Sequence, residues 1–292
     1  MIPRLANLAG RAWLWWDSGA LDVFDASGGR FGPELLSLFE DWERFWGWAT
    51  NLEPASVGSV DVSLLGPPVP KPRQVFAVGL NYRDHAAEAG YDTDGLPQVF
   101  TKFPSCLGGP ASTVAAVGSR MDWEVELVAV IGRQAEKVNE QDGWRFVAGL
   151  MVGQDLSARD VQLAGVAPQW SLGKSFKGFG PTGPAVVAPS ALDDPDDLEI
   201  ECSLNGEVMQ HDRTSKMIWS VPQLVARLSS VCTLLPGDLI FTGTPAGVGN
   251  RRNPPIYMGA GDRLVSRIAG LGEITVDVVE ALSPLPPLRD LR

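Results

Sequence analysis

A chain segment that is apolar at nearly every position must be covered on both sides, and here one such segment carries acidic residues. It reads Met121-Asp122-Trp123-Glu124-Val125-Glu126-Leu127-Val128-Ala129-Val130-Ile131. The apolar, β-branched run predicts a strand buried on both faces. Residues two apart on a strand share a side, so Glu124 and Glu126 project together. Ionised carboxylates enter such surroundings only when paired or metal-bound, and two side by side repel each other. A divalent cation removes both difficulties. Asp155, which closes the apolar run 147–154, offers a third ligand. Three carboxylates without His or Cys form an all-oxygen set, which favours Mg²⁺, Mn²⁺ or Ca²⁺ over zinc or copper. The same spacing also fits solvated edge-strand glutamates, or glutamates paired with lysines.

With 292 residues, 45% of them hydrophobic and 20% charged, the chain can bury a sizeable core, as one large domain or a large one with a small companion. The net charge is −11, and no basic cluster exceeds Arg251-Arg252. Nucleic acid and anionic membranes are therefore not expected partners. An anionic substrate would need positive charge supplied locally, which a bound cation provides. The three cysteines, Cys106, Cys202 and Cys232, are far apart and form no C-x-x-C pair. That fits a reducing cytoplasm, with each cysteine a small buried hydrophobe. Arg4, Asn7 and Arg11 interrupt any signal-like core, and no apolar run is long enough to span a membrane.

Six of the ten tryptophans precede residue 50. Short apolar runs around Asp17-Ser18-Gly19 predict a small hairpin. Leu35, Leu38, Phe39, Trp42, Phe45 and Trp46 recur at three- and four-residue steps, one helical face whose aromatics pack this part onto its neighbour. A further strand is expected over 60–65. Gly66-Pro67-Pro68-Val69-Pro70-Lys71-Pro72 then breaks regular structure and divides a small N-terminal domain (1–70) from a larger one (71–292). Beyond it, strands are expected over 75–78, 98–103, 122–131, 146–155, 198–204, 239–241, 263–268 and 273–280. Helices are expected over 83–89, 158–163 and 221–228. Asn205-Gly206 marks a two-residue hairpin. Many strands and few helices predict a mixed β (α+β) fold.

His85 and Glu88 are three apart and share a face on a helical turn. A carboxylate beside an imidazole fixes its tautomer and raises its basicity, which suits a general base acting on water. An ordinary surface ion pair has the same spacing. His211 lies beside a polar hairpin end, where exposure is expected. Lys102, Arg159 and Lys174 each interrupt apolar or glycine-rich contexts. Gly173-Lys174-Ser175 suggests a phosphate loop, but Pro168 stands where that pattern needs glycine. No G-x-G-x-x-G opens a helix, so a dinucleotide site is unsupported.

Six segments, in order, resemble the fumarylacetoacetate hydrolase family. They are Leu80-Asn81-Tyr82 through His85 and Glu88; Asp122-x-Glu124-x-Glu126-Leu127; Asp155-Leu156-Ser157-Ala158-Arg159-Asp160-Val161-Gln162; Gly173-Lys174-Ser175-Phe176; Pro181-Thr182-Gly183-Pro184; and Thr242-Gly243-Thr244-Pro245-Ala246-Gly247-Val248-Gly249. The resemblance spans about 73–282; the first 70 residues match loosely. It implies a β-sandwich roll with a small N-terminal α+β domain, usually a homodimer, holding Mg²⁺ or Mn²⁺. The family's metal ligands fall on Glu124, Glu126 and Asp155, and its base and carboxylate partner on His85 and Glu88. Its substrate and metal-shell groups fall on Arg159, Gln162, Lys174 and Thr244, and also on Lys102 and Gln210. Residues 89–96 resemble the mobile lid that follows the dyad.

The function this implies first is hydrolysis of a carbon–carbon bond in a β-diketo acid such as an acylpyruvate. His85 would activate water, and Lys174 would help stabilise the enolate that leaves. Decarboxylation or keto–enol isomerisation of a related keto acid is the alternative within the family. A non-catalytic protein that binds a metal and a keto acid is the alternative outside enzymes.

Overall fold

The computed structural model describes residues 2–54, 60–90 and 96–281. Strands β1 (Arg4–Leu8), β2 (Arg11–Trp16) and β3 (Gly19–Asp22) open the chain, followed by helices α1 (Val23–Ala26), α2 (Leu35–Glu40) and α3 (Trp42–Ala49). After β4 (Leu65–Gly66) come β5 (Val75–Gly79), α4 (Arg83–Ala89), β6 (Gln98–Thr101), β7 (Leu107–Gly108) and β8 (Ala111–Ala115). Next are β9 (Met121–Asp122), β10 (Val125–Ile131), β11 (Val147–Gln154), β12 (Ser157–Ala158), α5 (Arg159–Gln162), α6 (Trp170–Gly173) and β13 (Gly180–Val187). The hairpin β14 (Glu199–Leu204) and β15 (Glu207–Arg213), α7 (Val221–Ser229), β16 (Leu239–Phe241), β17 (Arg263–Ile268) and β18 (Gly272–Val279) complete it.

Eleven strands form one sheet, in the order β3-β2-β1-β13-β11-β10-β16-β5-β6, with β4 added to β1 and β7 to β13. Five strands form a second, β15-β14-β17-β18-β8, and β9 pairs with β12. Sheets dominate and helices are few: a mixed β fold.

Strand β10 explains how the layers stack. Val125, Leu127, Ala129 and Ile131 share a core with Ile200 and Cys202 of β14, Leu264 of β17, and Ile274 and Val276 of β18. Its other face offers Val128 and Val130, which join Phe39, Trp42 and Phe45 of the N-terminal helices. Full burial of a large apolar side chain is worth about 1.5–3 kcal/mol, so Leu35, Leu38, Phe39 and Phe45, all within 1% of full burial, anchor α2 and α3 firmly. The aromatic face packs, as its periodicity implies. The first strand is also built in, because β1 pairs with β13 at Leu5 and Val186.

Four expectations change. Residues 60–65 do not form a continuous strand: Asp61 Oδ1 accepts from the Ser63 backbone N–H at 2.9 Å and from its hydroxyl at 2.7 Å. That local competition draws Val62–Leu64 into a 3₁₀ turn. The single helical face of 35–46 is carried by two helices, broken at Asp41 with φ −126° and ψ 44°. The strand expected over 122–131 divides into β9 and β10, since the side chains of Gln154 and Gln210 take the backbone N–H groups of Glu124 and Val125. Strand β13, rich in Gly and Pro, lies at the centre of the large sheet and was not foreseen. Among the described residues, no helix is long and apolar enough to cross a membrane.

Candidate active site

The dyad is launched from the end of β5. Asn81 accepts from the Trp219 N–H at 2.8 Å and donates to the carbonyls of Thr242 (2.7 Å) and Trp219 (3.0 Å). Leu80 just before it holds φ +59°, an uncommon conformation for a non-glycine residue, of the kind that concentrates at functional sites. The turn starts α4, and the i,i+3 spacing puts His85 Nδ1 3.3 Å from Glu88 Oε2. The His85 side chain is 9% exposed and that of Glu88 28%, so this is not an ordinary surface pair. Burial pushes the Glu88 carboxyl up, but the imidazole hydrogen bond leads the opposing effects, and the net direction is down.

Glu124, Glu126 and Asp155 each place a carboxylate oxygen within 4.8 Å of the others, and all three are buried. Their hydrogen-bond partners differ. The Lys174 ammonium donates to Glu124 Oε2 and Asp155 Oδ2, both at 2.6 Å. Arg159 Nη2 donates to Glu124 Oε1 at 2.7 Å. Burial opposes the charge on Glu124, yet Lys174 and Arg159 outweigh it and hold the carboxyl down at about 2. Among the described residues, Glu126 has one hydrogen bond, from the Gly243 N–H at 2.7 Å, and no cation within ion-pair reach. Burial, reinforced by Asp155 and Glu124, therefore pushes it well above the usual carboxylate range.

Taken together, four buried carboxylates (Asp122, Glu124, Glu126 and Asp155) face three buried cations (Lys102, Arg159 and Lys174). Counted as ionised, the carboxylates outnumber the cations by one, and the excess falls on Glu126, whose raised pKa reflects it. A hard divalent cation fits this donor set. It would neutralise the carboxylate that no side chain reaches and leave the site positive for an anionic substrate.

Glycine at 173 is needed for close approach, not for phosphate binding. A Cβ there would lie 2.8 Å from the backbone nitrogen and Cβ of Gln162. Its absence lets α6 pack onto α5, which brings Lys174 beside Arg159. The Arg159 guanidinium is spread over Asp122 (Nε 2.8 Å, Nη2 2.6 Å), Glu124 and the Gln162 Oε1 (Nη1 2.8 Å). These carboxylates raise its already high pKa against the effect of burial.

A cavity of about 110 Å³ opens onto this arrangement, and its wall includes His85, Glu124, Arg159, Gln162, Lys174 and Thr244. Lys102 and Gln210 stand behind the wall. Fully buried, Lys102 donates to Asp155 Oδ1 at 2.6 Å, to the Phe179 carbonyl at 3.2 Å and to the Lys174 carbonyl. Gln210 donates to the Thr244 hydroxyl and the Pro245 carbonyl, both at 2.8 Å. Both side chains support groups that the cavity sees. Of the segment 89–96, residues 91–95 lie outside the described residues.

Three participants escaped the sequence reading: Asp122, Asn250 and Arg251. Asp122 had a signal, since it opens the D-x-E-x-E pattern. Its Oδ1 accepts from the N–H groups of Trp123 (2.8 Å) and Gly249 (2.7 Å), and its Oδ2 from Arg159 and the Asn250 N–H (3.0 Å). It therefore ties the arginine to the loop carrying Asn250 and Arg251, both on the cavity wall. A second group, Glu199, Glu201 and His211, is mostly exposed, and His211 lies on the surface as expected. Cys106 and Cys202 are buried thiols, and Cys232 is half-buried.

The family model described as "Fumarylacetoacetate (FAA) hydrolase C-terminal" matches residues 74–279. A bovine (Bos taurus) protein named oxaloacetate tautomerase FAHD2A, mitochondrial, is 42% identical over 214 residues, 73% of this chain and 68% of that protein. A solved structure from Mycobacterium smegmatis, a candidate HpcE protein, shares 50% identity with a TM-score of 0.91, over 95% of this chain and 99% of that one. Maleylpyruvate hydrolase from Sphingobium sp. SYK-6, solved with manganese(II) and pyruvate, is 27% identical with a TM-score of 0.76, over 95% and 99%. The chain belongs to the fumarylacetoacetate hydrolase family.

Proposed function

We propose that this protein is a divalent-cation-dependent enzyme that moves a proton on a small 2-keto acid, interconverting its keto and enol forms. The observation that carries this reading is that His85, paired with Glu88, and the carboxylate Glu124 line one cavity of about 110 Å³. Glu124, Glu126 and Asp155 would hold Mg²⁺ or Mn²⁺, which when bound supplies Lewis-acid polarisation of substrate oxygens. Glu88 orients the His85 imidazole and stabilises its protonated form. His85 takes the proton from the carbon next to the ketone. The C–H electrons become the new carbon–carbon double bond, the C=O π pair moves onto oxygen, and that oxygen takes the proton from the His85 imidazolium. Return of that proton to carbon runs the reaction backwards. Arg159 and Gln162 line the cavity, and the Gln162 carbonyl is occupied by Arg159, which leaves the amide N–H₂ to orient a carboxylate.

The name of the bovine relative, an oxaloacetate tautomerase, favours proton transfer on a compact acid over cleavage of a long acylpyruvate. Carbon–carbon hydrolysis is the second reading. It is favoured by the same dyad, which could activate water, and by the likeness to a maleylpyruvate hydrolase. Enol absorbance of oxaloacetate, followed with Mg²⁺ or Mn²⁺ and after EDTA, tests the first reading. We expect chelation to lower the rate by about 100-fold or more and re-addition of the ion to restore it. A rate indifferent to EDTA would remove the cation from the scheme. Release of pyruvate and a second carboxylic acid from an acylpyruvate, with no effect on the enol, would select hydrolysis instead. We also propose a homodimer, on the exposed Val99, Phe103, Leu163, Val166 and Leu172, which lie on or beside β6, α5 and α6.

A further inference from the structure

Three cationic side chains line the cavity: Arg159, Lys174 and Arg251. Arg159 and Lys174 are already neutralised, by Asp122, Glu124 and Asp155. Arg251 is different. Among the described residues its guanidinium makes no hydrogen bond or ion pair, and it is exposed to solvent. The charge still reaches the dyad. Glu88 is held down against burial first by His85 and, to a smaller degree, by Arg251.

The loop that carries Arg251 is fixed from below. Gly249 and Asn250 N–H groups donate to buried Asp122, and the Arg251 N–H donates to the Val248 carbonyl at 3.2 Å. Arg252 Nη2 holds the Met209 carbonyl at 2.7 Å. Gly247 takes φ +102°, and a Cβ there would stand 2.3 Å from the same Met209 carbonyl oxygen, so the loop lies flush against that strand. Beside Arg251, Asn250 accepts from the Tyr257 hydroxyl at 2.9 Å through Oδ1, which leaves its amide N–H₂ available as a donor. A guanidinium and an amide, both without an acceptor, thus share one anchored stretch of wall.

We propose that Arg251, helped by Asn250, binds the second carboxylate of the substrate, so that the enzyme selects dicarboxylic 2-keto acids over monocarboxylic ones. This rests on the keto-acid reading given above. Arg251 and Asn250 line the same cavity as Glu124 and His85, so the far end of a four- or five-carbon acid held at those two residues comes to their stretch of wall. A carboxylate there meets a fork of N–H donors that no protein anion has claimed. Charge-assisted hydrogen bonds of this kind correspond to about 10- to 100-fold in binding.

The experiment compares oxaloacetate with 2-oxobutyrate, which has the same four carbons without the distal carboxylate. Proton transfer on both is read as deuterium exchange at C3 by NMR, in the metal-loaded protein and its Arg251→Gln and Arg251→Lys variants. The expected result is a fall of about 10- to 100-fold in the oxaloacetate-to-oxobutyrate ratio of kcat/KM for Arg251→Gln, carried by KM, with Arg251→Lys intermediate. An unchanged ratio, or equal loss on both substrates, would overturn the proposal. If the wild type exchanges neither compound, the tautomerase reading fails on its own. Calorimetry of the Mn²⁺-loaded protein with malate and 2-hydroxybutyrate then decides the question. Preference for malate that Arg251→Gln abolishes supports carboxylate recognition, and equal binding of the two overturns it.

Discussion

Replacing His85 with alanine is expected to lower kcat by about 10²- to 10⁴-fold, the usual worth of a positioned general acid or base. Cation binding should hardly change. His85 touches Glu88 and lines the cavity, whereas the carboxylates of the cluster are bonded to Lys102, Arg159, Lys174 and Gly243. Steady-state rates and Mn²⁺ calorimetry on the same preparation separate the two effects. Glu88→Gln should lose less, since it keeps a group beside the ring and removes only the charge. A full-rate His85→Ala enzyme would mean that proton transfer uses another group. An equal collapse of Mn²⁺ affinity would place His85 among the ligands.

The second large effect is expected at a residue remote from the moving proton. Asp122 is completely buried and receives bonds from Arg159 and from three backbone N–H groups. Asp122→Ala leaves the guanidinium buried, with Glu124 as its only charged partner among the described residues. Removing one side of a buried pair costs about 3–5 kcal/mol, much more than an exposed ion pair is worth. Urea unfolding should show this loss, and activity should fall because the Arg251 loop loses its anchor. The two halves are separable. In an Arg159→Ala background, Asp122→Ala should cost clearly less, since no stranded charge remains. A loss below about 1 kcal/mol in the single variant would show that the network does not stabilise the fold.

The cluster of three buried carboxylates was legible because its chemistry is anomalous: acids inside apolar strands require an explanation that three- to five-residue windows already demand. The dyad was legible for a similar reason, being one turn of helix. What the sequence concealed is direction and distance. Lys102 interrupts an apolar run and Gln210 sits in a polar one, but no pattern tells whether such a group faces a cavity or supports its wall. Arg251 looked like half of a modest basic pair. Its position depends on an aspartate more than a hundred residues earlier in the chain. Strand β13 was hidden because Gly180, Pro181, Gly183 and Pro184 have turn chemistry. Its neighbour β11 also gives way to it, at Gly149, where a Cβ would meet Val186 Cγ1 at 2.4 Å and the Val187 carbonyl oxygen at 2.7 Å. Tertiary packing outweighed local preference.

The pairing of β1 with β13 also has a bearing on time. Leu5 and Val186 are partners across 181 positions of chain. At a synthesis rate of about 5–20 residues per second, the first strand waits on the order of 10–40 s for the strand it will adjoin. In the early part of that interval, before β10 and β11 are made, the N-terminal hairpin and its aromatic helices lack the sheet they cover. Their exposed strand edge and rings are surfaces on which a nascent chain sticks, so this end of the protein is where assistance during synthesis would matter most.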